Sequence, residues 1–525
     1  MKQEIKELIS LVIQKEYPSL DSFSFVVDDS DPKHGDYASN VAMILAKRVG
    51  ESPSIIAQKI IDGLKKNDIF EGLEVAGPGF INFKISLPYL ENKIFEVISS
   101  GDSYGSWDIG KNKKVDIDFI SANPTGPLTV GNSRGGVIGD TIGSVLESVG
   151  YNITREYYFN DAGGQIDVLG HSVLKDAEGQ YKGQYIDDLN KKYPSGDYRE
   201  VGKLAATELV SEIKKTAEKM GIKFDVWFAE GKDLRDKGKV AEVVTWLKEK
   251  KLAYESEGAV WFKSTQFGDD KDRVLIRSNG EPTYFCVDCA YHKNKLVERK
   301  FDLAIDVWGA DHHGDVARIK GFVKALGCEN NLQIVIHQFV KIMKDGKEVR
   351  MSKRTGNYIT VEELLAEVGR DAYRFFMMQY ALNTHMDFDL ELAKDKTQKN
   401  PVYYVQYAYA RINSILTKSN SQKLDAEAGN GNTNLLQAPE ERALIMQIIK
   451  YPDLIKEVAT DFQIQKIPQF SKDLAETFHH FYEKCSVINA ENDELMKARL
   501  MLLRVTQIVL KNTLELMKIS APETM

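Results

Sequence analysis

Four short runs of β-branched and aromatic residues, each followed by a polar loop, constrain the fold of this chain most strongly. They are residues 115–119 before SANPTGPLTVGN, 153–159 before NDAGGQ, 301–308 before GADHHG, and 332–340 before a lysine-rich loop. The stretches after these loops carry helical patterns. Strands that alternate with helices predict a parallel α/β sheet. Ligands bind such sheets at the carboxyl ends of the strands, so the polar loops are the expected place for a site.

Changes of pattern divide the chain into three segments. Its 525 residues are enough for about two to four domains. Residues 1–110 mix helical and turn-rich stretches, residues 111–385 contain the strand–loop–helix runs, and residues 386–525 are almost wholly helical in pattern. We predict an N-terminal α+β domain, a Rossmann-like parallel-sheet domain with insertions, and a C-terminal all-α bundle.

Composition narrows the function classes. The formal net charge of −8 argues against non-specific coating of nucleic acid, although a local basic patch could still bind it. No apolar run reaches the roughly 18 residues typical of a membrane span, and the first residues fit an amphipathic helix better than a signal peptide. Four cysteines are too few for a disulfide scaffold. We therefore expect a cytoplasmic protein.

Three motifs mimic sites without the required context. Gly105–Lys111 has P-loop spacing, but Asn112 stands where Ser or Thr should bind magnesium, and a strand follows instead of a helix. Cys286 and Cys289 lack the second pair that a zinc site needs. In residues 311–315, DHHGD, adjacent ligand types on an extended segment would point to opposite faces. These side chains are better interpreted as lining a substrate pocket, and we expect no structural metal.

Two loops suit a nucleotide. Residues 123–132 lead into a helical pattern with Gly131, Gly135 and Gly139 on one face. The start of that helix favours phosphate, because its N–H groups and dipole point there. A packing seam between helix and sheet explains the glycines equally well. The loop of residues 350–356, RMSKRTG, could clamp polyphosphate, although most basic loops are simply solvated.

Acidic residues near predicted strand ends suit a cationic substrate. They are Asp118 and Asp288, and Tyr284 stands four residues before the second of these. Each acid taken singly could also be an ordinary solvated carboxylate.

Together these motifs resemble the arginyl-tRNA synthetase family of class I aminoacyl-tRNA synthetases. Residues 122–132 match its first nucleotide signature, and residues 350–354 match its second, the KMSK-type loop. Further matches span the chain: residues 34–40, 75–82, 157–165, 308–314, 371–374, 387–390, 400–408 and 520–525.

The resemblance implies that arginine and ATP form arginyl-adenylate and pyrophosphate, and that tRNA(Arg) then takes the arginyl group and AMP leaves. It implies catalytic roles for Lys353, Thr129 and Asn132. The implied ATP-binding residues are Asn123, Pro124, Gly131, Asn132, His313, Met351, Ser352 and Lys353. The implied arginine-binding residues are Asp118, Ser121, Asn123, Tyr284, Asp288 and His312.

The resemblance also implies an N-terminal additional domain that contacts tRNA through Phe80 and Asn82, and a helical anticodon-binding domain that contacts it through Tyr407 and Arg411. The spacing of these last two is equally consistent with core packing. Mg²⁺ would accompany ATP, and the enzyme would be a monomer with no membrane partner.

The first signature departs from the family in one respect. The family normally carries two histidines where this chain has Thr129 and Asn132. A hydroxyl and an amide can still donate hydrogen bonds to phosphate. Arg350 replaces the usual leading lysine of the second signature, and Asp118 stands where a glutamate is usual. The alternative hypothesis is a synthetase-like tRNA-binding or regulatory protein that has lost its chemistry.

Overall fold

The N-terminal part packs helices on an antiparallel sheet. The computed structural model describes residues 1–31, 33–349, 359–419 and 433–525. The helices of this part are α1 (Lys2–Glu16), α2 (Val41–Val49), α3 (Pro53–Leu64) and α4 (Leu87–Ser100). Its strands are β1 (Val27–Asp29), β2 (Tyr37–Ser39), β3 (Phe70–Ala76) and β4 (Phe80–Ile85), in the order β1-β2-β4-β3.

Local sequence explains these helices. Ile5, Ile9 and Ile13 are spaced four residues apart on α1 and are buried, so they form one apolar face. Helices α3 and α4 each begin at a serine, Ser52 and Ser86, whose side chain accepts a hydrogen bond from a backbone N–H of the first turn. A proline in the first turn of each helix is preorganised for the helical φ.

The central part is built on a five-stranded parallel sheet. Its five strands are β5 (Lys114–Phe119), β6 (Asn152–Phe159), β7 (Val226–Ala229), β11 (Leu303–Gly309) and β12 (Leu332–His337). A small antiparallel sheet of β8 (Ala253–Ser256), β9 (Ala259–Phe262) and β10 (Arg273–Ile276) is inserted between β7 and β11. The helices are α5 (Val130–Ser148), α6 (Gly164–Leu174), α7 (Gln184–Lys192), α8 (Tyr198–Lys219), α9 (Lys239–Glu249), α10 (Tyr284–Lys293) and α11 (Val316–Ala325).

The order of the parallel sheet, β12-β11-β5-β6-β7, places the first strand in its centre. The chain builds β6 and β7 on one side of β5, and then β11 and β12 on the other. A crevice opens at the carboxyl ends of β5 and β11, because the connections leave these neighbouring strands in opposite directions. The predicted α/β fold with a Rossmann-like sheet is therefore confirmed.

Three local predictions need correction. Residues 332–340 are not one strand, because β12 ends at His337 and the chain continues as β13 (Val340–Lys344) in another sheet. The DHHGD segment is not extended but lies in a 3₁₀ turn, Ala310–Asp315. Tyr284 and Asp288 do not lie at a strand end but begin helix α10, where their spacing places them on one face.

The C-terminal part is helical, as predicted. A small sheet of β13, β14 (Lys347–Glu348) and β15 (Met386–Asp389) adjoins it, and β15 lies between its first two helices. The helices are α12 (Val361–Met378), α13 (Leu390–Lys394), α14 (Pro401–Lys418), α15 (Pro439–Ile448), α16 (Tyr451–Asp461), α17 (Lys466–Lys484) and α18 (Asp493–Leu516). Helix α12 bends at Gly369, whose φ of 77° is not helical. The exact domain boundaries at residues 110 and 385 stay a prediction.

A buried carboxylate joins the central and helical parts. Asp140 of α5 accepts hydrogen bonds from Arg155 Nε at 3.1 Å, Arg374 Nη2 at 2.9 Å and Lys518 Nζ at 2.6 Å. Arg374 also donates to the carbonyl oxygens of Met517 and Met220. One side chain thus ties together β6, α12 and the segment after α18.

None of the helices in the described parts of the chain is long and apolar enough to span a membrane.

Candidate functional site

A cavity of about 580 Å³ lies at the carboxyl ends of β5 and β11. Residues from the loop after β5, the start of α5, the start of α10 and the 3₁₀ turn after β11 line it. Nine of the predicted site residues, from distant parts of the sequence, line this cavity together. Those that line the cavity are Asp118, Ser121, Asn123, Thr129, Gly131, Asn132, Tyr284, Asp288 and His312.

The start of helix α5 lines the cavity. Thr129 is the N-cap residue, but its side chain accepts no hydrogen bond from the N–H groups of the first turn. Its hydroxyl instead donates to Asn132 Oδ1 at 2.7 Å. That hydrogen bond turns the amide nitrogen of Asn132 away from Thr129. The helix start therefore keeps donor groups that suit an anion.

The glycines of α5 serve both roles that the sequence left open, room for a ligand and close packing of the helix on the sheet. An added Cβ on Gly139 would lie 2.6 Å from Phe119 Cδ1, so this residue is needed for packing on β5. An added Cβ on Gly131 would meet nothing closer than Thr129 Oγ1 at 3.9 Å, and Gly131 lines the cavity. The first glycine thus faces the ligand space and the third faces the sheet.

The acidic end of the cavity lies around the first turns of helix α10. Asp288 is part-buried, and its carboxylate has no hydrogen-bond or ion-pair partner among the residues that the structure describes. Burial raises the pKa of Asp288 to about 6, although His292 and Arg318 oppose the rise. Tyr284, one turn earlier, is 63% exposed. A part-buried carboxylate without a partner is suited to binding a cation.

Beneath this end, Asp118 already has partners within the protein. Its carboxylate accepts hydrogen bonds from the Ser121 hydroxyl and from Tyr291 OH, the latter at 3.1 Å. Lys295 Nζ lies 3.4 Å from Asp118, 3.1 Å from Asp116 and 2.9 Å from Asp306. Burial opposes the charge on Lys295, but these carboxylates outweigh it and raise the pKa of its ammonium.

Acidic side chains outnumber basic ones under the cavity. Arg299 Nη2 pairs with Glu156 at 2.5 Å, and His292 Nε2 lies 2.8 Å from Asp306. Four buried carboxylates (Asp116, Asp118, Glu156 and Asp306) face only Lys295, Arg299 and His292 among the described residues. Burial raises the pKa of Asp116 to about 7 even beside Lys295. Asp116 can thus hold a proton near neutral pH, and a cation bound above the cluster would favour its ionised form.

Sequence reasoning missed this network. Lys295 lies in the run KNKLVERK, which has the composition of a solvated basic segment. Its partners are 177 or more residues away on β5, or 11 away on β11. Glu230, a further buried carboxylate that lines the cavity, was also missed. It accepts hydrogen bonds from Tyr158 OH at 2.5 Å and Arg235 Nε at 2.7 Å.

The loop after β5 is held in an unusual conformation. Ile120 and Ser121 have φ values of 67° and 42°, in the left-handed region that β-branched residues in particular avoid. Such strain is found mainly where the surrounding structure fixes a functional conformation. Here it brings the Ser121 hydroxyl to Asp118 and lets Ser121 Oγ accept from the backbone N–H of Tyr158 at 3.0 Å.

Some predicted site residues lie elsewhere. Pro124 is buried and His313 is exposed, and neither borders the cavity. Met351, Ser352 and Lys353, with the rest of the second signature, lie outside the described residues.

The predicted tRNA-binding residues lie on different elements, Phe80 and Asn82 on β4 and Tyr407 and Arg411 on α14. Phe80 is exposed at the start of β4, whereas Asn82 on the same strand is buried. Arg411 Nη1 donates to Tyr407 OH at 2.9 Å, and its guanidinium lies 4.6 Å from the centre of the Tyr482 ring. Both residues are half-buried in a group of aromatic side chains on α14 and α17.

No group of three or more metal-ligand side chains occurs among the described residues. This part of the chain therefore offers no cluster for a resident metal ion.

Family models match the three parts in order. A model of the arginyl-tRNA synthetase N-terminal domain matches residues 3–85. A model of the class I (R) tRNA synthetase catalytic domain matches residues 93–201 and 184–416. A model of the DALR anticodon-binding domain matches residues 405–525.

Curated relatives and solved structures agree with these matches. The arginine–tRNA ligase of Citrifermentans bemidjiense is 43% identical over 520 residues, which cover 94% of this chain and 93% of the relative. That of Acetivibrio thermocellus is 41% identical and covers 100% of this chain and 99% of its own length. The Thermus thermophilus arginyl-tRNA synthetase structure superposes with a TM-score of 0.83 at 21% identity, covering 100% of both chains. The Plasmodium falciparum structure gives 0.80 at 22%, covering 100% of this chain and 99% of its own.

Proposed function

The chain belongs to the arginyl-tRNA synthetase family of class I enzymes, and we propose how its cavity carries out the ligation of L-arginine to tRNA with ATP. The reaction has two steps. An oxygen of the arginine carboxylate attacks the α-phosphorus of ATP, and the bond from that phosphorus to the bridging oxygen breaks, releasing pyrophosphate. The 2′-OH of the terminal adenosine of tRNA(Arg) then attacks the arginyl carbonyl carbon, and AMP leaves.

The observation that carries this assignment is the unpartnered carboxylate of Asp288. It lines the same cavity as the start of helix α5, which keeps free donors for an anion. A cation-binding group and an anion-binding group in one cavity match a substrate pair of arginine and ATP. We propose that Asp288 accepts two hydrogen bonds from the guanidinium, with Tyr284 packing beside it.

Asp118 contributes to the same end in a different way. Its oxygens already accept from Ser121 and Tyr291. We therefore propose that Asp118 adds negative charge near the guanidinium, while Asp288 makes the direct pair. Ser121, Asn123 and His312 border the space where the rest of the amino acid would lie.

At the phosphate end, positioning and charge stabilisation carry most of the catalysis, because phosphoryl transfer needs little covalent help. The amide of Asn132, held by Thr129, and the N–H groups at the start of α5 would stabilise the charge that develops at the α-phosphate. Lys353, in the signature loop outside the described residues, would neutralise the departing pyrophosphate. Pro124, His313, Met351 and Ser352 stay proposed ATP neighbours on the resemblance alone.

The remaining partners are proposed on similar grounds. Since the described residues offer no cluster of metal ligands, Mg²⁺ would enter bound to the phosphates of ATP. Phe80 and Asn82 would serve the N-terminal tRNA contact, and Tyr407 and Arg411 the anticodon stem-loop. We propose a monomer that works in the cytoplasm, where tRNA and ATP are available. No observation favours the alternative of an inactive, synthetase-like binding protein.

The test is arginine-dependent exchange of pyrophosphate into ATP in the presence of tRNA. Asp288→Asn should weaken arginine binding by about 2–5 kcal/mol, because it removes one member of a desolvated charge pair at constant volume. Asp236→Asn is the matched control, since Asp236 is exposed, outside the cavity, and has no side-chain partner among the described residues. An arginine KM near wild type in Asp288→Asn would refute the assignment. Absence of exchange in the wild type would refute the proposed activity itself.

A further inference from the structure

A buried imidazole at the end of β12 has no role in the mechanism above. His337 is the last residue of that strand, is 5% exposed, and borders the cavity beside the start of α5. It comes from a different segment than the two signature positions, Thr129 and Asn132. Sequence reasoning did not single it out, because it lies inside an apolar strand pattern.

One hydrogen bond of His337 determines which of its two ring nitrogens carries the proton. Nδ1 lies 3.3 Å from the backbone carbonyl oxygen of Gln338. A carbonyl oxygen can only accept, so Nδ1 carries the hydrogen and Nε2 presents a lone pair. Nε2 has no hydrogen-bond partner among the described residues. It lies 2.8 Å from the position that a Cβ on Gly135 would take, so the glycine leaves room for the ring.

The imidazole stays neutral in the physiological range. Burial, together with the nearby guanidinium of Arg134, lowers the pKa of His337 to about 4. Nε2 is therefore a hydrogen-bond acceptor at neutral pH. An acceptor is repelled by phosphate and carboxylate oxygens, so His337 cannot take over the role of the missing signature histidines.

A neutral acceptor in this place needs a ligand that donates. In ATP the donors are the exocyclic amine of adenine and the ribose hydroxyls. Phe339, two residues further on, borders the same cavity with 45% of its surface exposed. An exposed aromatic ring at a ligand cavity is a platform for stacking a base. The combination of a platform and an acceptor favours the adenine amine over the ribose.

We propose that His337 Nε2 accepts a hydrogen bond from the exocyclic amine of the adenine of ATP, while the ring of Phe339 supports the base. This inference rests on the proposed function, because it assumes that ATP occupies the end of the cavity near α5. It makes His337 a specificity-determining residue. Guanine and hypoxanthine present an oxygen, another acceptor, at the position of that amine, so GTP and ITP are disfavoured.

The experiment compares ATP with purine riboside 5′-triphosphate, which has hydrogen in place of the amine. Pyrophosphate release during arginylation of tRNA is measured for each nucleotide. Wild type should prefer ATP by about tenfold in kcat/KM, since one buried hydrogen bond is at stake. In His337→Val, kcat/KM should fall about tenfold with ATP and stay unchanged with purine riboside 5′-triphosphate, so the preference is lost. His337→Gln, which retains an acceptor oxygen, should recover most of the preference for ATP.

One further variant and one further nucleotide make the test decisive. Phe339→Ala should lower kcat/KM for both nucleotides alike, because stacking does not depend on the amine. A wild-type preference for ATP in His337→Val would overturn the proposal. So would a loss of preference for ATP over 2′-deoxyATP in that variant, which would assign His337 to the ribose. An unchanged KM for arginine shows that the variants are folded. Failure of the proposed function is separate, because the wild type would then release no pyrophosphate with arginine and tRNA.

Discussion

At the scale of single residues, Asp288 predicts how arginine use depends on pH. Its pKa is raised to about 6 by burial, and only the carboxylate can pair with a guanidinium. Below pH 6, kcat/KM for arginine should therefore fall about tenfold per pH unit. Asp288→Asn should abolish this limb and leave a lower plateau, because an amide does not titrate in this range. A wild-type profile that is flat between pH 5 and about 7 would contradict the role of Asp288.

The same shift has a consequence for stability. The folded pKa of Asp288 lies above the unfolded value of 3.8, so ionisation favours the unfolded chain. Because of this one group, the free energy of unfolding should decrease as the pH rises from about 4 to about 6. Asp288→Asn should then stabilise the protein at pH 7 by about 1–2 kcal/mol, after discounting for partial exposure. Urea unfolding of both proteins at pH 4 and pH 7 measures this difference.

Thr129 and Asn132 should behave as one unit. The Thr129 hydroxyl is used to hold the Asn132 side chain, so Thr129 acts through Asn132. Asn132→Ala should lower kcat of activation by about 10²-fold, the lower end for loss of one transition-state donor. Thr129→Val should cost about tenfold, and the double variant no more than Asn132→Ala alone. Costs that multiply in the double variant would show that the two residues donate independently.

Lys353 should act on the transition state more than on ground-state binding. Its charge matters most as pyrophosphate departs, so Lys353→Ala should lower kcat and kcat/KM for ATP together. Lys353→Arg, which keeps the charge with a different shape, serves as the comparison. If Lys353→Ala raised only the KM for ATP, Lys353 would be a binding residue. Steady-state kinetics of pyrophosphate exchange separate the two outcomes.

At the scale of elements, the contact between α5 and β5 sets where the signature helix lies. Gly139→Ala would place a Cβ 2.6 Å from Cδ1 of the buried Phe119 ring, so the helix or the strand must move. We expect a loss of about 1–3 kcal/mol in the free energy of unfolding, typical of overpacking. Gly164→Ala on α6 is the control, since an added Cβ there meets nothing within 4 Å. Equal stabilities of the two variants in thermal unfolding would refute this packing argument.

Sequence patterns predicted the helices and strands better than they predicted contacts between distant residues. The parallel strands and helix α5 followed from local periodicity, because apolar spacing is a property of neighbouring residues. The break at Gln338 and Phe339, which sends β13 to another sheet, did not follow. Its cause is distant in the chain: Gln338 N and O bond to Leu382 O and to the Arg134 guanidinium. The partners of Lys295 and the role of His337 were hidden for the same reason.

At the scale of the whole molecule, Asp140 couples the central part to the helical part. Burial alone would raise the pKa of Asp140, but Arg374, Lys518 and Arg155 outweigh burial and lower it. Its contribution to stability is thus present above the unfolded pKa near 4 and is lost as the pH falls further. Asp140→Asn leaves buried cations unpaired and should cost about 3–5 kcal/mol.

Asp140→Asn should also unfold in two calorimetric transitions instead of one, because the central and helical parts would then unfold separately. Lys518→Met is the control, because this side chain is 32% exposed and its loss should cost about 1 kcal/mol or less. A single cooperative transition in Asp140→Asn would contradict the coupling role.

The Asp140 cluster also imposes an order on synthesis. Its partners lie 15, 234 and 378 residues further along the chain. Ribosomes add roughly 5–20 residues per second, so roughly 20–75 seconds separate translation of Asp140 from that of Lys518. In a nascent chain, Arg155 can meet the carboxylate early, Arg374 much later, and Lys518 last. Helix α5, which starts at the proposed ATP site, therefore acquires its full support only after the helical part has been translated. A polypeptide released too early would carry this helix without its full support.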